Sequence, residues 1–437
     1  MIKYFYEEYG YSKDDLYGIL DIFHKLTERG ILKRCKSKSG DKYKFKYVGI
    51  VATQQHIISI LPKYLEIKTK GQELLITKKI IKLFKKIDPS KVSNEEDLYF
   101  DTNLGNDDSN EIIIADYLLQ DYFLNGIYNK ECTYIDMNSN NDIDWDETIN
   151  GIDPILIEDQ PIYFNTYHTI SDIDTYNQVT KIHAWAMNYC YMKYADILGY
   201  DSYYVESLVT DVPNYDSWIN LINIELSEIY DDRNVALLKS LINLIYNKLN
   251  SDESNDITFY GTSSFHIIWE YILSYLCDNN YNQICKDMDK AKFYSLQNEY
   301  IATKTKTLEP DILKLEECDN SKTLFILDAK YYNFKLYNAS YEHSPGIEDI
   351  IKQFMYEEVL RKKYLSNSNM KTYNAFVFPA DDSTIDIMKP IGKLKIDYFG
   401  GKEIILILAN AEKIFDAFIK DKKFGNLLGL LGCEISK

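Results

Sequence analysis

The sequence predicts a mixed α/β protein: a small mixed sheet flanked by helices in the C-terminal part, preceded by a small α+β module and a largely helical middle region. Three observations predict it. From residue 258 onward, apolar periodicity alternates between helical and strand spacing in the order α-β-β-β-α-β. Two polar, acidic stretches of little pattern interrupt the chain, one over 88–111 (containing NEEDLYFDTNLGNDDSNE) and one over 251–256 (SDESND). Between them run long helical stripes. The expected divisions are therefore 1–100, 101–257 and 258–437, in keeping with two or three domains for 437 residues.

The elements follow in order. Over 12–30, Ser12 can cap a helix with Asp15 three residues on, and Leu16, Ile19, Leu20, Phe23 and Leu26 form one apolar stripe that ends at Gly30. Strand-like runs at 42–51 and 56–67 add a β-hairpin. This combination fits a winged-helix fragment or an α+β interaction module. The lack of a second, basic helix favours the module. Residues 111–125 read as a helix, 130–170 as short strands and turns, and 179–198 and 217–249 as helices. In the C-terminal part, 263–276 is a helix with Ile267, Ile268, Tyr271, Ile272 and Tyr275 at helical spacing. Strands are expected at 298–307, 311–315 and 323–332, the last running Leu-Phe-Ile-Leu into Asp-Ala-Lys. An amphipathic helix over 347–364, strands at 371–379 and 385–398, and a strand and helix over 403–419 complete the series.

Composition narrows the function. Hydrophobic residues make up 46% of the chain, enough for more than one core. The net charge of −18, from 67 acidic and 49 basic residues, steers the chain as a whole away from nucleic acid. Any nucleic-acid chemistry must then rest on locally clustered cations or on a second protein. The seven cysteines are scattered and form no CxxC pair, against a zinc ribbon and a disulfide framework. No apolar run approaches the roughly 20 residues of a membrane helix. The start MIKYFYEEYG lacks a basic region followed by an apolar stretch, so neither a signal peptide nor a membrane association is expected, and the location is expected to be cytoplasmic.

One constellation carries chemistry. Glu309-Pro310-Asp311 is followed, after sixteen residues, by Asp328-Ala329-Lys330 at the end of an apolar strand. An aspartate and a lysine there are unfavourable unless paired or used. If the strands of Asp311 and Asp328 are neighbours, both carboxylates can reach one divalent ion, and Mg²⁺ is satisfied by one or two carboxylates plus waters and substrate oxygens. The carbonyl of Ala329 can add a ligand. Lys330, two residues after Asp328, projects on the same face, where its ammonium can orient an attacking water or stabilise developing charge. Glu270 on the preceding helix (SFHIIWEYIL) is a third acidic candidate, and Lys352, Gln353 and Tyr356 on the following helix can brace the site. The alternative is a buried Asp328–Lys330 ion pair without catalysis.

These residues resemble the PD-(D/E)xK nuclease superfamily. More narrowly, the chain is similar to the LlaJI-type restriction endonucleases, relatives of the McrC nuclease subunit. The stretches that carry the resemblance are YVGIVATQQHIISILPKY near the N-terminus, IDWDETI at 143–149, SFHIIWE at 264–270, EPDI at 309–312, FILDAKYY at 325–332 and GIEDIIKQFMYE at 346–357, in that order. The resemblance implies a PD-(D/E)xK nuclease fold with an αβββαβ core. It implies Asp311, Asp328 and Glu270 as the metal-binding acids, Lys330 as the catalytic lysine and Gln353 as a supporting glutamine. Tyr356 lies three residues after Gln353, where one nuclease subgroup has four, so no role is assigned to it. Mg²⁺, with Mn²⁺ as a substitute, is the implied cofactor. Double-stranded DNA is the implied substrate, and an McrB-like AAA+ GTPase the implied partner, docked on the first hundred residues. Two strand cuts need two sites, so dimerisation during cleavage is expected. The chain has no G-x-x-x-x-G-K-[ST] loop of its own, since Gly400-Gly401-Lys402 lacks the spacing.

Other residues are set aside. The six histidines form no HExxH motif, and His266, one turn before Glu270, reads as a packing or surface group. The four tryptophans are expected in the core. Lys304 and Lys306 alternate along a strand and suit either phosphate contact or a solvated face. Rival readings are a self-sufficient type II restriction endonuclease and a non-catalytic adaptor that keeps the nuclease fold. The adaptor is opposed by the retention of Asp311, Asp328 and Lys330.

Overall fold

The computed structural model describes residues 2–431 apart from 38–39, 55, 88–109, 175–176, 201–212, 250–256, 286–289, 298–299, 304–307, 319–320, 339 and 366–369. The two polar breaks and the Lys304–Lys306 pair thus fall largely or wholly outside the described residues. The chain forms two compact units, one of Met1–Asp101 with Ile257–Lys437 and one of Thr102–Asp256.

In the first unit, β1 (Ile2–Tyr6), β2 (Val48–Ala52), β3 (Ile57–Leu61) and β4 (Thr258–Thr262) form a four-stranded sheet in the order β1-β3-β2-β4. Gly49 and Gly261 face each other across β2 and β4. A Cβ on Gly49 would lie 2.4 Å from the Tyr260 carbonyl oxygen, and Gly49 has φ 142°. Both the backbone angle and the close approach require glycine there. The expected helix over 12–30 is shorter than its stripe. Ser12 and Asp15 do make the cap contacts, but the chain then forms only a 3-10 turn at Tyr17–Ile19 and a helix at Phe23–Glu28. Gly18, a weak helix former, lies within the 3-10 turn with the Lys3 side chain against its bare Cα. Leu16, Ile19 and Leu26 are nonetheless buried in the N-terminal core. The run at 42–51 is two strands: Gly40–Phe45 pairs with Leu32–Ser37, and β2 belongs to the other sheet. Helix α1 (Lys70–Lys86) falls where the reading of the sequence places no element.

The second sheet holds β5 (Ile312–Cys318), β6 (Ser321–Ala329), β7 (Met370–Ala380), β8 (Met388–Lys395) and β9 (Glu403–Asn410), in the order β5-β6-β7-β9-β8. β6, β7 and β9 are parallel, and β5 and β8 flank them antiparallel. Helix α2 (Phe265–Leu276) precedes the sheet, α3 (Ile347–Leu360) crosses from β6 to β7, and α4 (Ala411–Ile419) follows β9. Such a crossover between parallel strands needs a connection of helix length. The expected order α-β-β-β-α-β is corrected here. Tyr300–Thr303, inside the first predicted strand, pairs with Lys292–Tyr294 in a separate ribbon, so two strands of the main sheet lie between α2 and α3. Its alternation was real, but all four residues are exposed: it marks a ribbon rather than a core strand. Phe354 of α3 packs with Phe376, Phe378, Ile404 and Leu406, and Tyr356 and Leu360 pack with Leu313, Leu324 and Ile326. Trp269 of α2 packs edge-on against Phe415 of α4.

The second unit is built on the helices Glu111–Asn125, Gln178–Leu198, Tyr215–Glu228 and Asp232–Leu249, with β-ribbons Glu131–Met137/Tyr167–Ile173 and Ile155–Ile157/Gln160–Ile162. Glu111, 2% exposed, sits among Lys193 at 3.0 Å, Lys248 at 3.3 Å and the hydroxyls of Tyr189 and Tyr194. Burial pushes its carboxyl up, but the two ammoniums outweigh burial and hold it below the ordinary carboxylate range. The tryptophans do not all lie in the core. Trp269 is fully buried, whereas Trp145 is 52% exposed at the start of the helix Trp145–Gly151, which buries only Thr148.

Candidate active site

Parallel pairing of β6 with β7 and antiparallel pairing of β5 with β6 bring the sequence candidates to one end of the sheet. Asp311 immediately precedes β5, and β5 begins at Ile312 opposite Leu327. One oxygen of Asp311, Oδ2, accepts a hydrogen bond of 2.8 Å from the Ala329 N–H, so Asp311 is tied to the end of the strand that carries Asp328. Asp328 is 4% exposed. Lys330 Nζ stands 2.8 Å from Asp328 Oδ2 and 3.1 Å from Asp349 Oδ1. The first contact is an ion pair whose angles do not make a hydrogen bond, and Asp328 Oδ2 is a buried oxygen without a hydrogen-bond donor. Asp349, on the first turn of α3, was not singled out in the sequence. Its place at the start of a helix two turns before Tyr356 was the available signal.

Electrostatics separate this cluster from an ordinary ion pair. Burial, followed by the negative charges of Asp311 and Asp328, pushes the Glu270 carboxyl up to about 8. Burial and then Asp328 push Asp311 to about 7, against the pull of the Ala329 N–H, Lys330 and Lys352. Asp328 is also raised, by burial, despite Lys330. Lys330 would be lowered by burial, but Asp328 and Asp349 more than offset this and raise it. Three carboxyls that resist ionisation around a half-buried lysine carry unmet negative charge once ionised.

The donor set suits a hard divalent cation. Oxygen ligands, a buried carboxylate oxygen lacking a donor and two to three neighbouring acids are what Mg²⁺ or Mn²⁺ takes, with water in the remaining positions. The expected set of three protein ligands is not a closed cluster, however: among the described residues no three acidic, His or Cys side chains stand close enough to hold one ion together. Asp311, Asp328 and Glu270 sense one another electrostatically, and buried like charges without a counter-ion repel.

Gln353 is 1% exposed and does not bond to the acids. Its Nε2 donates to the Ile326 carbonyl at 3.1 Å and to Asn374 Oδ1 at 2.7 Å. It fixes β6 two residues before Asp328, which makes it a positioning residue. Tyr356, expected from its helix position to brace the site although the family spacing gives it no role, donates its hydroxyl to the Glu309 carbonyl at 3.0 Å and so holds the turn before Asp311. Lys352 lies 5.5 Å from the Tyr356 ring. His266 is on the exposed side of α2.

The raised carboxyls predict a pH dependence. A carboxyl whose pKa is raised on folding holds its proton more tightly in the folded chain. Its stabilising effect is present at low pH and is lost as pH rises from the ordinary carboxylate range through about 7 and about 8, the values of Asp311 and Glu270. A divalent cation needs the ionised forms and so acts in the opposite sense. Mn²⁺ is therefore expected to raise the melting temperature more at pH 8 than at pH 6, by at least roughly 2 °C, and Glu270→Gln to shrink the difference. Equal metal shifts at both pH values, followed by scanning fluorimetry, would contradict the assignment.

The mixed sheet thus gathers Asp311, Asp328 and Lys330 at one strand end, and the class to which the chain belongs is that of the restriction endonucleases. The family model of the LlaJI restriction endonucleases matches residues 47–412, and the chain belongs to that family. It is 33% identical over 428 residues to "Type II restriction enzyme BsuMI component YdjA" of Bacillus subtilis (strain 168), a match that covers 97% of this chain and 90% of that protein. Solved structures similar to it are a half-complex of Thermococcus gammatolerans McrB AAA+ hexamers with bound McrC (12% identity, TM-score 0.36, covering 96% of this chain and 100% of that one) and the McrBC complex of the same organism (13% identity, TM-score 0.26, covering 61% and 84%). No helix among the described residues is long and apolar enough to cross a membrane.

Proposed function

We propose that the chain is the DNA-cutting component of an anti-phage restriction system, a divalent-metal-dependent endonuclease of PD-(D/E)xK type. The observation that carries this reading is Asp328: a buried carboxylate with a donorless oxygen, beside Asp311 and Glu270, with Lys330 at 2.8 Å. Asp311 and Asp328 would hold Mg²⁺ or Mn²⁺, with Glu270 the third acid. When bound, the ion supplies a more acidic water and a counter-charge for the phosphoryl group. Lys330, held between Asp328 and Asp349, keeps its proton and presents an ammonium to developing negative charge. Gln353 and Tyr356 fix the strand and the turn that carry the two aspartates.

The cutting component works with an McrB-like AAA+ GTPase. Two features support a partner: the net charge of −18, unfavourable for unaided DNA binding, and a family relative that is itself named a component of a restriction enzyme. The test is plasmid cleavage in Mg²⁺ by the chain alone and with the GTPase and GTP. Cutting that needs both proteins supports the partnership. Efficient, site-specific cutting by the chain alone would replace it with a self-sufficient type II enzyme.

A further inference from the structure

Beside the catalytic strand end lies a cleft of about 510 Å³, within the roughly 300–1,000 Å³ of small-ligand sites. Its walls include Glu7, Lys63 and Tyr332, all in the first compact unit. Tyr331 and Tyr332 directly follow Lys330, and Asp349, the partner of Lys330, also acts on the Tyr332 hydroxyl. The cleft therefore adjoins the site proposed to cut.

Its chemistry points to one ligand class. Glu7 is 7% exposed. Its carboxyl accepts from the Tyr331 hydroxyl at 2.6 Å and the Lys63 N–H at 3.3 Å, and both bonds end on Oε2. Glu7 lines the cleft, and among the described residues its Oε1 accepts no hydrogen bond, with the Lys63 ammonium the nearest charge acting on the carboxylate. Lys63 Nζ lies 4.6 Å from the Tyr331 ring centroid and 6.0 Å from that of Tyr332. The other acids of the cleft are matched by cations: Glu8 by Lys44 and Lys46, and Glu66 by Lys335 at 3.7 Å. An acceptor, an aromatic face and an ammonium together match a base with an exocyclic amine, its ring plane and its phosphate.

We infer that this cleft holds one nucleotide turned out of the DNA beside the cut bond, its base against Tyr332, its exocyclic amine on Glu7 Oε1 and its phosphate on Lys63. The inference rests on the nuclease reading for its DNA, but the cleft can be tested without cleavage. An enzyme that turns out a base reads it by stacking and by hydrogen bonds to its edge.

The test is titration of the full chain at pH 8 with dCMP, dTMP and deoxyribose 5-phosphate, followed by saturation-transfer NMR. dCMP is expected to bind at least about 5-fold more tightly than dTMP, and deoxyribose 5-phosphate more weakly than either. Glu7→Gln keeps an oxygen for Tyr331 and turns an amide N–H₂ into the cleft, so the preference should reverse in favour of the O4 carbonyl of dTMP. Lys63→Ala should weaken both nucleotides and leave their ratio unchanged. Equal binding of dCMP and dTMP by the wild-type chain, or an unaltered ratio in Glu7→Gln, would overturn the inference. dCMP selectivity in a chain that never cuts DNA would sink the nuclease reading and leave the cleft. Cutting without selectivity would do the reverse.

Discussion

Exchanging Asp328 for Asn is expected to reduce DNA cleavage by at least about 10²-fold while leaving the melting temperature of the unit unchanged or higher. The combination matters more than either half. Asp328 is buried, its Oδ2 lacks a donor and its carboxyl is pushed up by burial, so the folded chain holds an acid it does not fully satisfy. An amide removes that charge, and Lys330 keeps Asp349 at 3.1 Å. A purely structural Asp328–Lys330 pair predicts the opposite. Removing one partner of such a pair destabilises by about 3–5 kcal/mol, a fall of roughly 6 °C or more. Thermal melting and cleavage, measured on the same preparation, separate the two.

The largest stability effect is expected in the helical unit, Thr102–Asp256. Replacing Glu111 by Ala should destabilise the helical unit by about 3–5 kcal/mol, because it removes the carboxylate that Lys193 and Lys248, 15% and 10% exposed, share. The pH dependence has a definite sign. The Glu111 carboxyl is lowered on folding, so its contribution is present above the ordinary carboxylate range and fades as pH falls below it. Glu111→Ala should accordingly flatten the acid limb of the unit's denaturation curve. A loss below about 1 kcal/mol in urea unfolding would show that water already reaches the two lysines.

The contrast between these two acids explains what was legible in the sequence. Asp311, Asp328 and Lys330 could be found because strand alternation fixes the face of Asp328 and Lys330, and because charged residues closing an apolar strand are conspicuous. Glu270 could be found because it interrupts an apolar helix. Asp349 and Tyr356 share one helix face, but their partners, the Lys330 ammonium and the Glu309 carbonyl, are tertiary contacts that helix position alone does not specify. Glu111 and its two lysines are 82 and 137 residues apart and meet only when the helices pack.

At the level of the fold, the strong stripes at 111–125, 263–276 and 347–364 produced helices, because an apolar face must be buried somewhere. The helix Lys70–Lys86 was missed although Thr69 and Gln72 form a capping box, a signal open to the sequence. The strand at 298–307 misled because alternation reports a strand and not the sheet it joins. The pairing of β4 with β2, some two hundred residues away, lay beyond local reading altogether.

The measurement that bears most directly on the central claim is cleavage of supercoiled plasmid in Mg²⁺ or Mn²⁺, with EDTA as control, by the wild-type chain and by Lys330→Ala, each supplied with the GTPase and GTP. The account predicts metal-dependent cutting by the wild type and a loss of about 10²-fold or more in the variant. Cutting that persists in Lys330→Ala, or that proceeds in EDTA, would contradict it.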